Sequence, residues 1–417
     1  MAKLTMRKAL MAGVALAGMG AAAAQAQEQK LTIWTIAYTS NAQVQALKDA
    51  ATGFEESHPG VDVEIVQRGI DEHKTALRVA AGASTGPDIY MSWAGLGLGG
   101  EYVAAGLSAD ISKYYDEYGW ADRLSAPSVA FAGQFGEGMH GIPFRFSGEA
   151  IYYNKALFEE AGIESEPQTY DELVAAAGKL ADAGIPAFTF GGTVNWHLMR
   201  LMDNLLETEC GAETHDALMA MELNWTETAC ATDAFAEMQM WAENYILSPF
   251  MGIDQAQSFN LYVAGRAAMM LEGDWLVNQL NEVTDVNEFG VFPFPTGTER
   301  LYGFAEYFYI STKADDPDLA AEFFEYFTSD EYQDKIKGTF GAISVNTNVD
   351  LDENALPLEN EWYEIFANAK GTFVNGDQAF PLDVTTEYFR VINDVASGNL
   401  APAEAAGEMQ TFIDNRG

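Results

Sequence analysis

The sequence predicts a two-lobed α/β protein, and three observations support this fold class. Strand-like apolar segments alternate with amphipathic helical segments along most of the chain, a pattern typical of a parallel-type sheet with helices on its faces. Once a predicted N-terminal leader is removed, about 390 residues remain, which suits two hydrophobic cores better than one. The chain has no Pro- or Ser-rich linker that would separate the lobes, so we expect it to cross between them more than once.

The predicted elements follow one another in a regular order. Strands are assigned to β-branched or aromatic segments with alternation or a short apolar run, and helices to segments with a helical apolar period. The predicted strands are 30–36, 61–67, 88–93, 150–154, 186–190, 289–295 and 304–311, and a helix end leads into another at 264–271. The predicted helices are 41–58, 73–83, 155–161, 170–184 after the N-cap Thr169, 318–328, 362–370, 387–398 and 402–415, with an interrupted helical pattern over 196–244.

The N-terminus has the pattern of a secretory signal peptide. A short cationic region, an uncharged apolar run over residues 9–24 and the small-x-small triplet Ala24-Gln25-Ala26 follow in this order. The run is shorter than the roughly 20 residues that a bilayer span needs. We therefore predict that residues 1–26 are removed on export to the periplasm and that the mature chain begins near Gln27. Because no Cys follows the run, we expect no lipid anchor.

The charge of the chain argues against polyanionic partners. It has 62 acidic and 22 basic residues and a formal net charge of -40, which becomes -43 once the three cations of the signal segment are removed. Such a charge repels nucleic acid and anionic lipid, so we expect neither as a partner. No other segment reaches transmembrane length, so we expect no direct insertion into the membrane.

Two cysteines, Cys210 and Cys230, are present in the whole chain. In an oxidising compartment this pair predicts one disulfide. A reactive thiol or a metal-binding pair is the alternative, but neither cysteine lies in a basic or His-rich setting. We therefore expect a structural crosslink.

Motifs for cofactor, metal or nucleophile chemistry are weak. Residues 95–100 read Gly-Leu-Gly-Leu-Gly-Gly and match a dinucleotide-binding turn, but export and their place after the third strand favour a flexible glycine loop. The five histidines lack metal-ligand spacing, and neither a nucleophile elbow nor a phosphate-binding loop is present. We predict no cofactor, no metal and no catalytic residue, with a periplasmic glycoside-active enzyme as the rival class.

Aromatic residues at the ends of predicted strands indicate a carbohydrate cleft. Sugars present C–H faces that stack on Trp and Tyr, and hydroxyls that pair with polar side chains. Strand ends are where ligands meet an α/β sheet. Trp34, Tyr38, Trp93, Trp196 and Trp275 lie at such ends beside polar residues. A single Trp is more often part of a core, whereas several at strand ends favour a ligand site.

Arg145 is a rare positive charge where the chain passes from one predicted lobe into the next strand. In a cleft, an arginine can bind a sugar hydroxyl, a carboxylate or a sulfonate. It can equally form a structural ion pair with a nearby acid such as Glu149. Both interpretations stay open, and with them the choice between a neutral sugar and an anionic ligand.

Short motifs occur in a fixed order along nearly all of the mature sequence. They are Leu31-Thr-Ile-Trp34, Gly86-Pro-Asp-Ile89, Gly141-Ile-Pro143, Ile151-Tyr-Tyr-Asn-Lys155, Thr169-Tyr-Asp-Glu-Leu173, Gly265-Arg-Ala-Ala-Met269, Gly273-Asp-Trp275, Pro293-Phe-Pro295, Tyr302-Gly-Phe304 and 320–329. In this order they resemble the family 1 extracellular solute-binding proteins of bacterial sugar ABC importers.

The resemblance implies a type II, maltose-binding-protein-like fold, in which two α/β lobes joined by hinge crossovers close over a ligand. It implies an N-terminal lobe of residues 27–142 and 290–338, and a C-terminal lobe of residues 143–289 and 339–417. The implied partners are a small-molecule carbohydrate and the membrane permease subunits of an importer. We expect the protein itself to be a monomer.

The resemblance also implies which side chains contact the ligand. Carried over position by position, they are Tyr38, Thr39, Ser92, Trp93, Arg145, Ser147, Asn195, Trp196, Trp275, Glu306, Asp383 and Tyr388. Tyr38 and Thr39 replace a charged pair of the maltose-binding pattern, so maltodextrin is not assumed to be the ligand.

Overall fold

The structure is a computed structural model that describes residues 29–416. The predicted signal peptide lies outside these residues. Within them, no helix combines the length and apolar character that crossing a bilayer requires.

The strands belong to one mixed sheet that runs through both lobes. They are β1 Gln29–Ile36, β2 Val61–Arg68, β3 Ile89–Trp93, β4 Ile142–Asn154, β5 Met269–Gly273, β6 Phe289–Phe292, β7 Leu301–Ile310 and β8 Thr372–Phe373. The order along the sheet is β2-β1-β3-β7-β4-β5, with β6 paired to β4 and β8 to β7.

The helices cover the faces of this sheet and form most of the second lobe. They are α1 Asn41–Ser57, α2 Ile70–Gly82, α3 Gly99–Ala104, α4 Ser112–Tyr118, α5 Trp120–Arg123, α6 Ala126–Val129, α7 Lys155–Glu160, α8 Tyr170–Asp182, α9 Asn195–Met219, α10 Ala229–Asn244, α11 Gln255–Val263, α12 Leu276–Val283, α13 Pro317–Thr328, α14 Asp330–Ile336, α15 Pro357–Asn368, α16 Gly376–Ala379, α17 Leu382–Ala396 and α18 Pro402–Asp414.

Local sequence accounts for several of these boundaries. Thr169 caps α8 as expected, because its side chain accepts a hydrogen bond from the Glu172 amide. Asp316 caps α13 in the same way, and Pro317 occupies the first turn, where a missing N–H does no harm. In β1, Leu31 and Ile33 are buried while their neighbours are more exposed, which follows from the two-residue period of a strand.

The sheet departs from the parallel-type prediction. β1 is parallel to both β2 and β3, as the alternation of strands and helices indicates. β7, however, is antiparallel to both β3 and β4, and β5 and β6 are antiparallel to β4. The predicted strand at 186–190 is also wrong, since only isolated bridges through Phe188 form there. The apolar pattern of a segment predicts that it is a strand. Whether that strand is parallel or antiparallel to its neighbours depends on partners that are distant in the chain.

Two long strands carry the chain between the lobes. In β4, Phe144 and Phe146 pack in the core of the first lobe, whereas Ile151 and Tyr152 face two separate cores of the second. β7 runs the opposite way from Leu301 in the second lobe to residues 305–310 in the first. Gly148 and Gly303 pair with each other where β4 and β7 both pass from one lobe to the other, a place we call the crossing of β4 and β7.

The positions of the cores bear on the lobe boundaries. Residues 289–294 pack in the cores of the second lobe, and Phe340 and Val345 pack in the first. We therefore propose that the chain returns to the first lobe inside β7 rather than at the predicted position 290. It then leaves the first lobe for the last time after Val345 rather than at the predicted position 339.

The predicted disulfide is present. Cys210 in α9 is bonded to Cys230 in α10, with their Cα atoms 5.1 Å apart. The bond joins two helices that pack against each other in the second lobe. The bond therefore makes a covalent link between the two helices in addition to the loop and short turn that connect them.

Replacing both cysteines with serine is expected to lower the free energy of unfolding by about 3 kcal/mol, because the unfolded chain regains the freedom of the loop. Urea denaturation of the mature protein measures this change. Wild-type protein unfolded with a reducing agent is the control and should show the same loss. An unchanged unfolding midpoint in the double variant would contradict the stabilising role.

Candidate ligand-binding cleft

A cleft opens between the lobes beside the crossing of β4 and β7. Its cavity volume is about 290 Å³, and residues from both lobes line it. Seven of the predicted contact residues are brought together here although they are far apart in sequence: Tyr38, Thr39, Trp93, Arg145, Trp196, Trp275 and Glu306. Whether each contacts a ligand stays a prediction.

Three predicted residues lie close to the cleft but do not line it. Ser92 is buried on β3, and because side chains alternate along a strand it points away from the face that carries Trp93. Ser147 is completely buried within β4. Asn195 is exposed at the start of α9, where its side-chain oxygen accepts a hydrogen bond from Asn393 at 2.9 Å.

Two predicted contacts are placed elsewhere in the fold. Asp383 lies on the exposed side of α17 and forms an ion pair with Arg416 at 2.7 Å. Tyr388 is fully buried on the opposite side of that helix, and its hydroxyl donates a hydrogen bond to Asp203. The amphipathic pattern of α17 fixes both orientations, and the segment that reaches the cleft is the preceding turn, α16.

Arg145 lies at the crossing and is held by two carboxylates. Its guanidinium contacts Glu306 at 3.3 Å and Asp274 at 3.4 Å, and its central carbon lies 5.0 Å from the Trp275 ring centroid. The predicted structural alternative, a pair with Glu149, is therefore wrong in its partner. An ion pair exists, but it links β4 to β7 and to the segment after β5.

A second arginine, which sequence reasoning missed, repeats this arrangement. Arg200 in α9 contacts Glu149 at 3.0 Å and also binds Glu272. Its guanidinium carbon lies 4.4 Å from the Trp196 ring and 5.2 Å from the Trp275 ring. The signal was present in the sequence, since Trp196 and Arg200 are four residues apart in a helical segment of a chain with few cations.

These contacts fix three half-buried indole rings around one space. Two guanidinium groups lie close to the Trp275 ring and one lies close to the Trp196 ring, and the Lys74 ammonium lies 5.1 Å from the Trp93 centroid. A cation near an aromatic face is attracted to it electrostatically. The rings therefore have defined positions and are partly open to the cleft.

Burial and pairing set the electrostatics of the cleft. Burial raises the pKa values of Glu306 and Asp274, and the charge of Arg145 opposes that shift. Burial likewise raises the pKa of Glu149, which Arg200 opposes. Each arginine is thus neutralised by two acids, and neither presents a free positive charge.

Several buried polar atoms at the cleft have no hydrogen-bond partner within the described part of the chain. They belong to Tyr38, Gln43, Arg145, Glu149, Glu306, Asn375, Asp377 and Gln378. Leaving buried polar groups unpaired is unfavourable, so a ligand with hydroxyl donors and acceptors would gain from binding here. The last three residues were also absent from the sequence-based prediction.

One rim of the cleft is closed by a carboxylate from α12. Glu282 accepts hydrogen bonds from the Asn41 amide at 2.8 Å and the Ser40 hydroxyl at 2.9 Å, at the N-terminus of α1. Gln279, on the same helix, donates to the Thr39 hydroxyl at 2.7 Å. An acid is favourable at a helix N-terminus, so these contacts hold the two lobes together.

The other rim is formed by the glycine-rich segment 95–100. The Leu96 amide donates to the Gln378 carbonyl at 2.7 Å. A Cβ on Gly95 would lie 2.5 Å from the backbone of Gln378, and one on Gly97 would lie 2.5 Å from the Phe380 carbonyl. These glycines therefore allow close approach of the second lobe, and Gly95 also has φ +107°, which favours glycine.

A cleft between two α/β lobes, lined by aromatic and polar groups from both and crossed by the chain several times, defines a two-lobed solute receptor. The chain belongs to the bacterial extracellular solute-binding protein family, whose profile matches residues 38–334. The family predicted from the short motifs is confirmed.

Similar proteins support this assignment. A probable sugar-binding periplasmic protein of Mesorhizobium japonicum is 24% identical over 431 residues, covering 98% of this chain and all of the relative. An uncharacterized ABC transporter extracellular-binding protein of Pyrococcus horikoshii is 22% identical over 406 residues, covering 94% and 87%. The solved structure of a chitin oligosaccharide binding protein superposes with a TM-score of 0.84 at 22% identity, covering 93% of this chain and 98% of that chain. The two-lobed fold is confirmed.

Replacing Glu282 with alanine is expected to shift the ligand-free protein toward an open arrangement, because it removes three hydrogen bonds between α12 and the start of α1. Small-angle X-ray scattering would show a larger radius of gyration than in the wild type. Glu288→Ala, which removes an exposed acid later in the same segment, is the matched control. Equal radii in all three proteins would contradict a role for Glu282 in holding the lobes together.

Proposed function

We propose that the protein is the periplasmic substrate-binding component of an ABC importer, which captures a carbohydrate in the interlobe cleft and delivers it to the permease. The observation that carries this proposal is the convergence of Trp93, Trp196 and Trp275 on one cleft that also contains unpaired hydrogen-bonding atoms. Flat apolar rings beside polar groups complement the C–H faces and hydroxyls of a sugar.

Two lobes that share one ligand couple binding to closure. A sugar that contacts Trp93 of the first lobe and Trp275 of the second favours the closed arrangement by its differential affinity for the two states. The permease can then distinguish the loaded receptor from the empty one by the relative positions of the lobes. In this mechanism the cleft binds and releases its ligand unchanged.

The comparisons support a transport role over an enzymatic one. Proteins named as sugar-binding and as ABC transporter binding proteins match most of this chain, and the fold is shared with an oligosaccharide receptor. Export through a cleaved signal peptide and a monomeric state belong to the same proposal. If the pure protein released products from an oligosaccharide, the glycoside-active alternative would replace it.

A thermal-shift screen of the mature protein against mono-, di- and trisaccharides tests the proposal directly. A ligand at about 100 times its dissociation constant is expected to stabilise the folded protein by about 2.7 kcal/mol. Stabilisation by at least one sugar supports capture. No shift with any sugar, at concentrations up to tens of millimolar, would contradict it.

Trp275→Ala is expected to weaken binding of the identified sugar by about 1–3 kcal/mol, the scale of a stacked aromatic ring. Isothermal titration calorimetry measures the change. The matched control is Trp34→Ala, because Trp34 is also half-buried with a cation, Arg68, 4.1 Å from its ring centre, yet does not line the cleft. Equal affinities of Trp275→Ala and the wild type would remove this ring from the site.

A further inference from the structure

The turn α16 and the residue before it, Asn375, present three polar side chains to the cleft that were not expected from the sequence. Asn375, Asp377 and Gln378 are 8%, 7% and 2% exposed, and all three line the cavity. Asn375 Oδ1, Asp377 Oδ1 and both side-chain amide atoms of Gln378 have no hydrogen-bond partner among the described residues. Of these four unpaired atoms, three are acceptors and one, Gln378 Nε2, is a donor.

The turn is held in place from both lobes. Asp203 accepts hydrogen bonds from the Gly376 amide at 2.9 Å and from the Tyr302 and Tyr388 hydroxyls at 2.7 Å. From the first lobe, the Leu96 amide donates to the Gln378 carbonyl. The orientation of the unpaired atoms is thus fixed before any ligand arrives.

Asp377 is a buried acid without an ion-pair partner among the described residues. The cations that act on it are Lys74 and Arg200, and Arg200 is already bound to Glu149 and Glu272. Among the described residues that line the cleft, five acidic side chains face three basic ones, so acidic groups are in excess.

We propose that Asn375, Asp377 and Gln378 form a subsite for a hydrogen-bond-donating group of the sugar, a hydroxyl or an amine, and that this subsite rejects sugars that carry a carboxylate or sulfonate. The inference rests on the proposed capture of a carbohydrate and selects the neutral and amino sugars within that class. The unpaired acceptors supply the attraction, and the unpaired carboxylate of Asp377 supplies the repulsion.

The test compares matched sugars that differ in charge. Calorimetry would measure the binding of glucose, galactose and their β-1,4-linked dimers, each in the neutral, uronate and 2-amino form. A pH of 8 keeps Asp377 ionised, because burial raises the pKa of this carboxyl to about 6. We expect the wild type to bind the neutral or the amino form at least tenfold more tightly than the uronate of the same sugar, and the ratio of neutral to amino affinity distinguishes the two donors.

Asp377→Asn keeps the size of the side chain and removes its charge. It is expected to weaken the preferred sugar about tenfold while narrowing the difference between that sugar and its uronate, a pattern that general misfolding would not produce. Asp383→Asn, on the neighbouring helix and outside the cleft, is the control and should bind as the wild type does.

Two results would overturn the subsite. One is a uronate that binds the wild type as tightly as its neutral counterpart, and the other is an unchanged affinity and selectivity in Asp377→Asn. If no sugar of any charge binds in this set or in the wider thermal-shift screen, the proposed function itself fails and the subsite with it.

Discussion

The interaction on which the cleft depends is the buried pair of Arg145 and Glu306. These residues face each other in the register of β4 and β7, the two strands that run through both lobes. Burying an arginine requires matched acids, and Asp274 supplies the second. Because Asp274 also accepts a hydrogen bond from the Ala342 amide at 2.9 Å, the network joins the crossing strands to the chain that leaves the first lobe.

The rest of the site is arranged around this pair. Arg145 and Arg200 both lie close to the Trp275 ring, so the two arginine networks share one aromatic side chain. The hydroxyls, amides and indoles of the two lobes then surround a single cavity. At its rims the lobes touch through Glu282 and through the glycines of residues 95–100, whose small size permits backbone contact. The crossing pair Gly148 and Gly303 lies beside the network, where the lobes meet.

Sequence reasoning located the parts of the site that depend on local pattern. Trp93 ends an apolar strand and Trp275 follows one, so their positions at the edge of a sheet could be predicted. Arg145 was predicted from its place where the chain passes from one lobe to the other. Arg200 was missed because it lies within a long helical segment, where charged residues are usually solvated.

Features that depend on tertiary contacts could not be predicted from the sequence. The antiparallel placement of β7 beside β3 requires a partner more than two hundred residues away in the chain. The turn α16 is short and polar and has no periodicity, so the sequence did not indicate that it lines the cleft. Asp383 and Tyr388 were predicted as the contacts of this segment instead. The helical period of α17 could have shown that these two residues face different sides, one toward solvent and one toward the core.

The central claim is that one sugar is bound by both lobes at the crossing of β4 and β7. A crystal structure of the mature protein with the most stabilising sugar tests it most directly. The account predicts a sugar ring against Trp275 or Trp196, with hydrogen bonds to side chains of both lobes, including the α16 turn. A sugar bound outside this cleft, or held by one lobe alone while the lobes remain apart, would contradict it.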